Sequence, residues 1–96
     1  MTANPVVDDS SHHRFELTEN GHVAFADYNR TESAEGSVVV IPHVEAPEAL
    51  RGTGAAGRLM EGIVAHAREE GFKIVPTCPY AAAWFQRHPA EGDLVV

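Results

Sequence analysis

Hydrophobic and polar positions along the chain fall into two rhythms. From His13 to Arg30, "HRFELTENGHVAFADYNR" alternates, with Phe15 and Leu17 apolar between polar neighbours and Asn20-Gly21 in the middle. That pattern predicts two strands joined by a tight hairpin, because Asn-Gly supplies the positive φ values that a two-residue turn requires. "SAEG" reads as a second turn, and "SVVVIPHV" after it is a β-branched run of the kind buried at a sheet centre. Beyond the loop "EAPEALR" the rhythm changes. Ala56, Leu59, Met60, Ile63, Val64 and Ala67 recur at helical spacing on one face, with Arg58, Glu61, His66, Arg68 and Glu69 on the other side. Gly71 followed by Phe72 predicts the stop, a left-handed glycine cap and then a hydrophobe folding back. "KIVPT" is a short strand, and "PYAAAWFQRHP" is a second helix that Pro89 ends.

The predicted order is therefore β-β-β-α-β-α. It describes an α+β domain, three-layer-like, with a mixed sheet that starts antiparallel and closes with a right-handed parallel β-α-β crossover. Residues 1–11 lack periodicity and are expected to form a flexible tail, leaving 12–96 as the single domain. A length of 96 residues has room for one core only.

Composition narrows the picture modestly. A hydrophobic fraction of 44% and a charged fraction of 22% are those of an ordinary globular domain. No apolar run is long enough to cross a bilayer, and "MTANPVVDDSSHH" lacks the basic-then-apolar order of a signal peptide. Cys78 is the single cysteine, so no internal disulfide can form, which suits a reducing, cytoplasmic setting. A net charge of −7 argues against nucleic acid as a partner and would tolerate a cationic one, such as an amine or a lysine-bearing peptide.

The chemistry is expected at "LRGTGAAGRLMEG", where Gly52, Gly54 and Gly57 lead into the longer helix. "GTGAAG" spells the dinucleotide fingerprint, but its context is wrong. A loop holding Pro47 separates it from the preceding strand, and "VPTC" stands where an acidic residue is needed. No Gly-Lys-Ser/Thr follows, so a Walker loop fails as well. What survives is the physics common to both motifs. A glycine-rich turn entering a helix aims several backbone N–H groups at one spot, aided by the helix dipole, and Arg51 can add charge-assisted hydrogen bonds to a phosphate. The alternative is that the glycines only let the helix pack closely on the sheet, which would explain Gly57 better than Gly52 and Gly54.

"Arg51-Gly52-Thr53-Gly54-Ala55-Ala56" is similar to the Gln/Arg-x-x-Gly-x-Gly/Ala signature of the GNAT superfamily of N-acetyltransferases. With "PHVEAPEALRGTGAAGRLMEG", "AREEGFKIVPTCPY" and "RHP", the chain from about His13 to Leu94 resembles the minimal N-acetyltransferase-like family. The resemblance implies a minimal acyl-CoA N-acyltransferase fold, acetyl-CoA as co-substrate and an amine acceptor. It also implies that Arg51, Gly52, Thr53, Gly54, Ala55 and Ala56 hold the pyrophosphate, with Val44 and Phe85 as further cofactor contacts. A fuller superfamily member has acceptor-side helices between its first two strands, where this chain has a hairpin. A non-catalytic coenzyme A-binding or adaptor module is therefore the alternative function, and a ligand-free interaction domain is a third.

Pro42, inside "VVVIPHV", either ends its strand or marks a bulge; the resemblance favours the bulge, with the strand splayed to admit the pantetheine arm along Val44. Acetyl transfer needs an unprotonated amine, and two residues are candidates to help. Cys78 precedes Pro79 and so falls at the N-cap of the second helix, where the dipole favours thiolate and an acetyl relay; the alternative is a small inert hydrophobe. His43, on the neighbouring wall, is a candidate general base close to Cys78 or the amine, or else a structural histidine. The resemblance also implies Tyr80, a weaker candidate, as proton donor to the departing thiolate. The other histidines, His12, His13, His22, His66 and His88, form no metal-binding spacing.

Overall fold

The computed structural model describes residues 4–96. The alternating segment forms β2 (Arg14–Glu19) and β3 (His22–Ser33), preceded by a short β1 (Val7–Asp9). Asn20 and Gly21 take φ values of 50° and 75° between β2 and β3, the left-handed pair expected of the hairpin. β3 turns back into β4 (Gly36–Glu45), antiparallel to it, and β5 (Lys73–Pro76) then pairs with β4 in parallel. Strand order in the five-stranded mixed sheet follows chain order.

Phe15 and Leu17 of β2 pair with Ala26 and Ala24 of β3, and all four are buried on one face of the sheet with Tyr28, Val39 and Ile41. Against that face lies α1 (Ala55–Glu70), presenting Leu59, Met60, Ile63, Val64 and Ala67, all buried. Its C-terminus closes as the sequence predicts: Gly71 is left-handed, the Gly71 and Phe72 N–H groups both reach the Ala67 carbonyl, and Phe72 folds into the core. α2 (Pro79–Arg87) buries Ala81, Trp84 and Phe85 in the same hydrophobic cluster. Both helices thus join one hydrophobic cluster with the sheet, in the mixed α+β arrangement that the sequence predicts. The opposite face carries Arg14, Glu16, Phe25 and Asp27, none of them buried.

The expected tail is corrected by the structure. From Asn4 onward the N-terminal segment is part of the fold, while residues 1–3 of that tail lie outside the described residues. Val7–Asp9 adds a fifth strand against β2, and Val6 is 1% exposed. Three hydrogen bonds, two to α1 and one to β3, fasten it. Asn4 Nδ2 donates to the Gly62 carbonyl at 2.9 Å, His66 Nε2 bonds the Val6 carbonyl at 2.6 Å, and the Tyr28 hydroxyl donates to Asp8 at 2.6 Å. Val6 sits over Gly62 so closely that a Cβ there would overlap its side chain. The glycine that α1 needs for close packing is therefore Gly62.

Candidate functional site

The site begins where β4 and β5 part. Their parallel register ends at Ile41↔Pro76, while β4 runs on through Glu45 paired only with β3. Register with β3 jumps from Asn29↔Val40 to Asp27↔His43, so Tyr28 alone faces the two residues Ile41 and Pro42. This is a β-bulge at Pro42, a residue that has no N–H to give the ladder. Cys78 N–H takes the Ile41 carbonyl at 3.0 Å and turns the chain into α2, which leaves the last residues of β4 without a strand neighbour on that side.

The segment 46–54 then leads to α1. Leu50 is buried and anchors it, and Thr53 N–H and Oγ1 both bond the Leu50 carbonyl, at 3.2 and 2.6 Å. Thr53 Oγ1 also accepts the Ala55 N–H at 3.3 Å. Gly52 and Gly54 adopt φ values of 79° and 86°, which side chains resist. Among the described residues no protein acceptor takes the N–H groups of Gly52, Gly54, Ala56 or Gly57. A Cβ on Gly52 would meet nothing within 4 Å, and one on Gly57 would meet only the Tyr80 hydroxyl at 3.9 Å. Close helix–sheet packing therefore requires neither glycine. What the turn does have is a set of unused donors at the positive end of a 16-residue helix.

Two adjoining cavities open over this turn. One, of about 260 Å³, is lined by Leu50, Arg51, Gly52, Gly54, Ala55 and Gly57, among others. The second, of about 350 Å³, runs along the end of β4 past His43, Val44 and Glu45. Ala46, Arg51, Ala56 and Tyr80 line both and join them into one groove. Of the residues expected from sequence, the groove brings together His43, Val44, Arg51, Gly52, Gly54, Ala55 and Ala56. Thr53 lies outside its lining, with its N–H and hydroxyl spent inside the turn. Phe85 is buried against Trp84, ring centroids 5.1 Å apart.

Cys78 is the N-cap of α2, as Pro79 predicts, but its side chain is buried, makes no capping bond and lines neither cavity. His43 pairs with Asp27 and so stands on the sheet face opposite the core, half exposed, with Nε2 3.2 Å from Glu45 Oε1 and its ring 6.1 Å from Phe25. The expected meeting of His43 with Cys78 is thus not made, because the bulge turns one outward while the helix start turns the other inward. Tyr80, the weaker candidate from sequence, lies beside this site. It lines both cavities while packing partly against the hydrophobic core.

Arg58 guards the outer side of the turn. Its Nε and Nη2 donate to the two Glu19 oxygens at 2.8 and 2.7 Å, and its Nη1 donates to the Thr53 carbonyl at 2.9 Å. The Arg58 hydrogen bonds hold the Glu19 carboxyl below its ordinary 4.5.

The sheet thus opens at a bulge beside a glycine turn that feeds a helix. The family described as GCN5-related N-acetyl-transferase matches residues 14–94, and the chain belongs to that family. No match was found among curated proteins. None of the described helices is long and apolar enough to cross a membrane.

Proposed function

We propose that the protein binds acetyl-coenzyme A in this groove and transfers its acetyl group directly to an amine. The observation that carries the reading is the set of unpartnered N–H groups of Gly52, Gly54, Ala56 and Gly57 over a cavity of about 260 Å³, a shape and charge suited to a diphosphate. Arg51 stands in both cavities to add charge, and the pantetheine arm runs along Val44 where β4 lacks a neighbour. At the wider end, the amine nitrogen attacks the thioester carbonyl. The C–N bond forms, the C–S bond breaks, His43 takes the ammonium proton and the Tyr80 hydroxyl protonates the departing thiolate. Glu45, 3.2 Å from His43 Nε2, orients the imidazole. Burial of Cys78 away from both cavities favours this direct route over an acetyl-cysteine relay.

The test is calorimetric titration with coenzyme A on the wild type and on Gly57→Leu. Gly57 has ordinary helical φ and open space in front of it, so leucine fills the diphosphate cavity without straining the backbone. Binding in the wild type and its loss in a folded Gly57→Leu is the expected result, and equal affinity in both would refute the assignment. A second reading, a coenzyme A-binding module without turnover, is favoured by the placement of His43 on the outward face with its imidazole engaged by Glu45. It predicts coenzyme A binding without release of free thiol from acetyl-coenzyme A in the presence of mixed amines.

A further inference from the structure

We infer that Glu19 and Arg58 are positioning residues for the phosphate turn: they hold the Thr53 carbonyl, and through it aim the Gly54 N–H into the groove. The inference rests on the coenzyme A reading above. The Thr53–Gly54 peptide is trans and planar, so its carbonyl and its N–H point in opposite directions. Arg58 Nη1 takes the carbonyl at 2.9 Å on the side away from the cavity, which Arg58 does not line. The N–H on the other side belongs to Gly54, which does line the cavity and has no protein acceptor among the described residues.

This peptide has reason to need an anchor. Thr53 lies between two left-handed glycines, Gly52 and Gly54, and a peptide beside such residues flips between its two orientations at little steric cost. The flipped form would offer a carbonyl oxygen to the phosphate in place of an N–H. Arg58 can hold the carbonyl only if its own long side chain is fixed, and the bidentate bond to Glu19 fixes it. Glu19 is the last residue of β2, immediately before the Asn20-Gly21 hairpin turn, so the hairpin tip serves as the fixed post.

Glu19→Ala separates this role from simple electrostatics, because the two predict opposite signs. Removing a carboxylate near a diphosphate site strengthens anion binding if only charge matters. If the pair aims the peptide, releasing Arg58 lowers the fraction of competent turns, and the apparent dissociation constant rises in proportion, by about tenfold when one turn in ten stays correctly oriented. Coenzyme A and acetyl-pantetheine, which lacks the diphosphate, are titrated into the wild type, Glu19→Ala and Arg58→Met, with melting temperatures of the unliganded proteins measured alongside. Expected are about tenfold weaker coenzyme A binding in both variants, unchanged acetyl-pantetheine binding and melting temperatures close to wild type. Coenzyme A binding in Glu19→Ala that is equal to or tighter than wild type overturns the inference, as does an equal loss for both ligands. Failure of the wild type to bind coenzyme A at all would instead remove the functional reading beneath it.

Discussion

Substituting Gly62 by alanine tests how the N-terminal segment is held. An alanine Cβ would lie 2.5 Å from Val6 Cβ and 2.9 Å from Asn4 Oδ1, closer still to a Val6 methyl, and α1 backbone cannot retreat from the core it packs on. The segment must therefore lift. Val6 is 1% exposed, and returning a valine side chain to water costs about 1.5–3 kcal/mol. The Asn4 bond to the Gly62 carbonyl adds about 1 kcal/mol. Against this, alanine in a helix interior gains about 0.8–1 kcal/mol over glycine. The net is a loss of about 1.5–3 kcal/mol, and a domain of this size loses about 4–8 °C of melting temperature for each kcal/mol. In a chain with residues 1–6 deleted, the three nearest atoms of that clash are gone and the helix term dominates, a gain of about 0.8–1 kcal/mol. Urea denaturation of the four proteins measures both effects, and a Gly62→Ala change of the same sign in both backgrounds would refute the packing argument.

Two further outcomes are expected. Cys78→Ala should retain acetyl transfer within a fewfold of wild type in a thiol-release assay, because the thiol lines neither cavity; a collapse of activity in a folded variant would restore the relay. Arg68 donates to both Asp93 and Glu91 and, chiefly by that hydrogen bond, holds the Asp93 carboxyl below its ordinary 3.8. A carboxyl depressed in the folded state stabilises above its unfolded pKa, and the benefit fades as pH falls from that value through the folded one. Melting temperature should therefore drop on acidification below about 4, and Arg68→Met should flatten that drop; parallel curves for the two proteins would exclude the linkage.

Much of the fold is local and could be read locally. Asn20-Gly21 sets the hairpin because its backbone preference suits the turn whatever surrounds it, and Gly71-Phe72 stops α1 by the same kind of short-range logic. The groove's floor was also legible, since Gly52 and Gly54 sit at φ values that the chain itself must permit. The N-terminal strand was not. "NPVVDD" is too short to announce itself, and it is ordered by a slot at Gly62 and by His66 and Tyr28, residues far away in sequence.

His43 shows most clearly where local reading ends. By strict alternation it shares the parity of Val39 and Ile41 and would point into the core. The extra residue at the Ile41–Pro42 bulge shifts that parity and sends it to the opposite face, while Val44 takes the inward place against Ala26. Sequence by itself determined the elements, their caps and the donor-rich turn, because those depend on a few consecutive residues. Which side chains share the groove was decided only by tertiary structure. That choice depends on a register shift between two strands and on contacts across the whole chain.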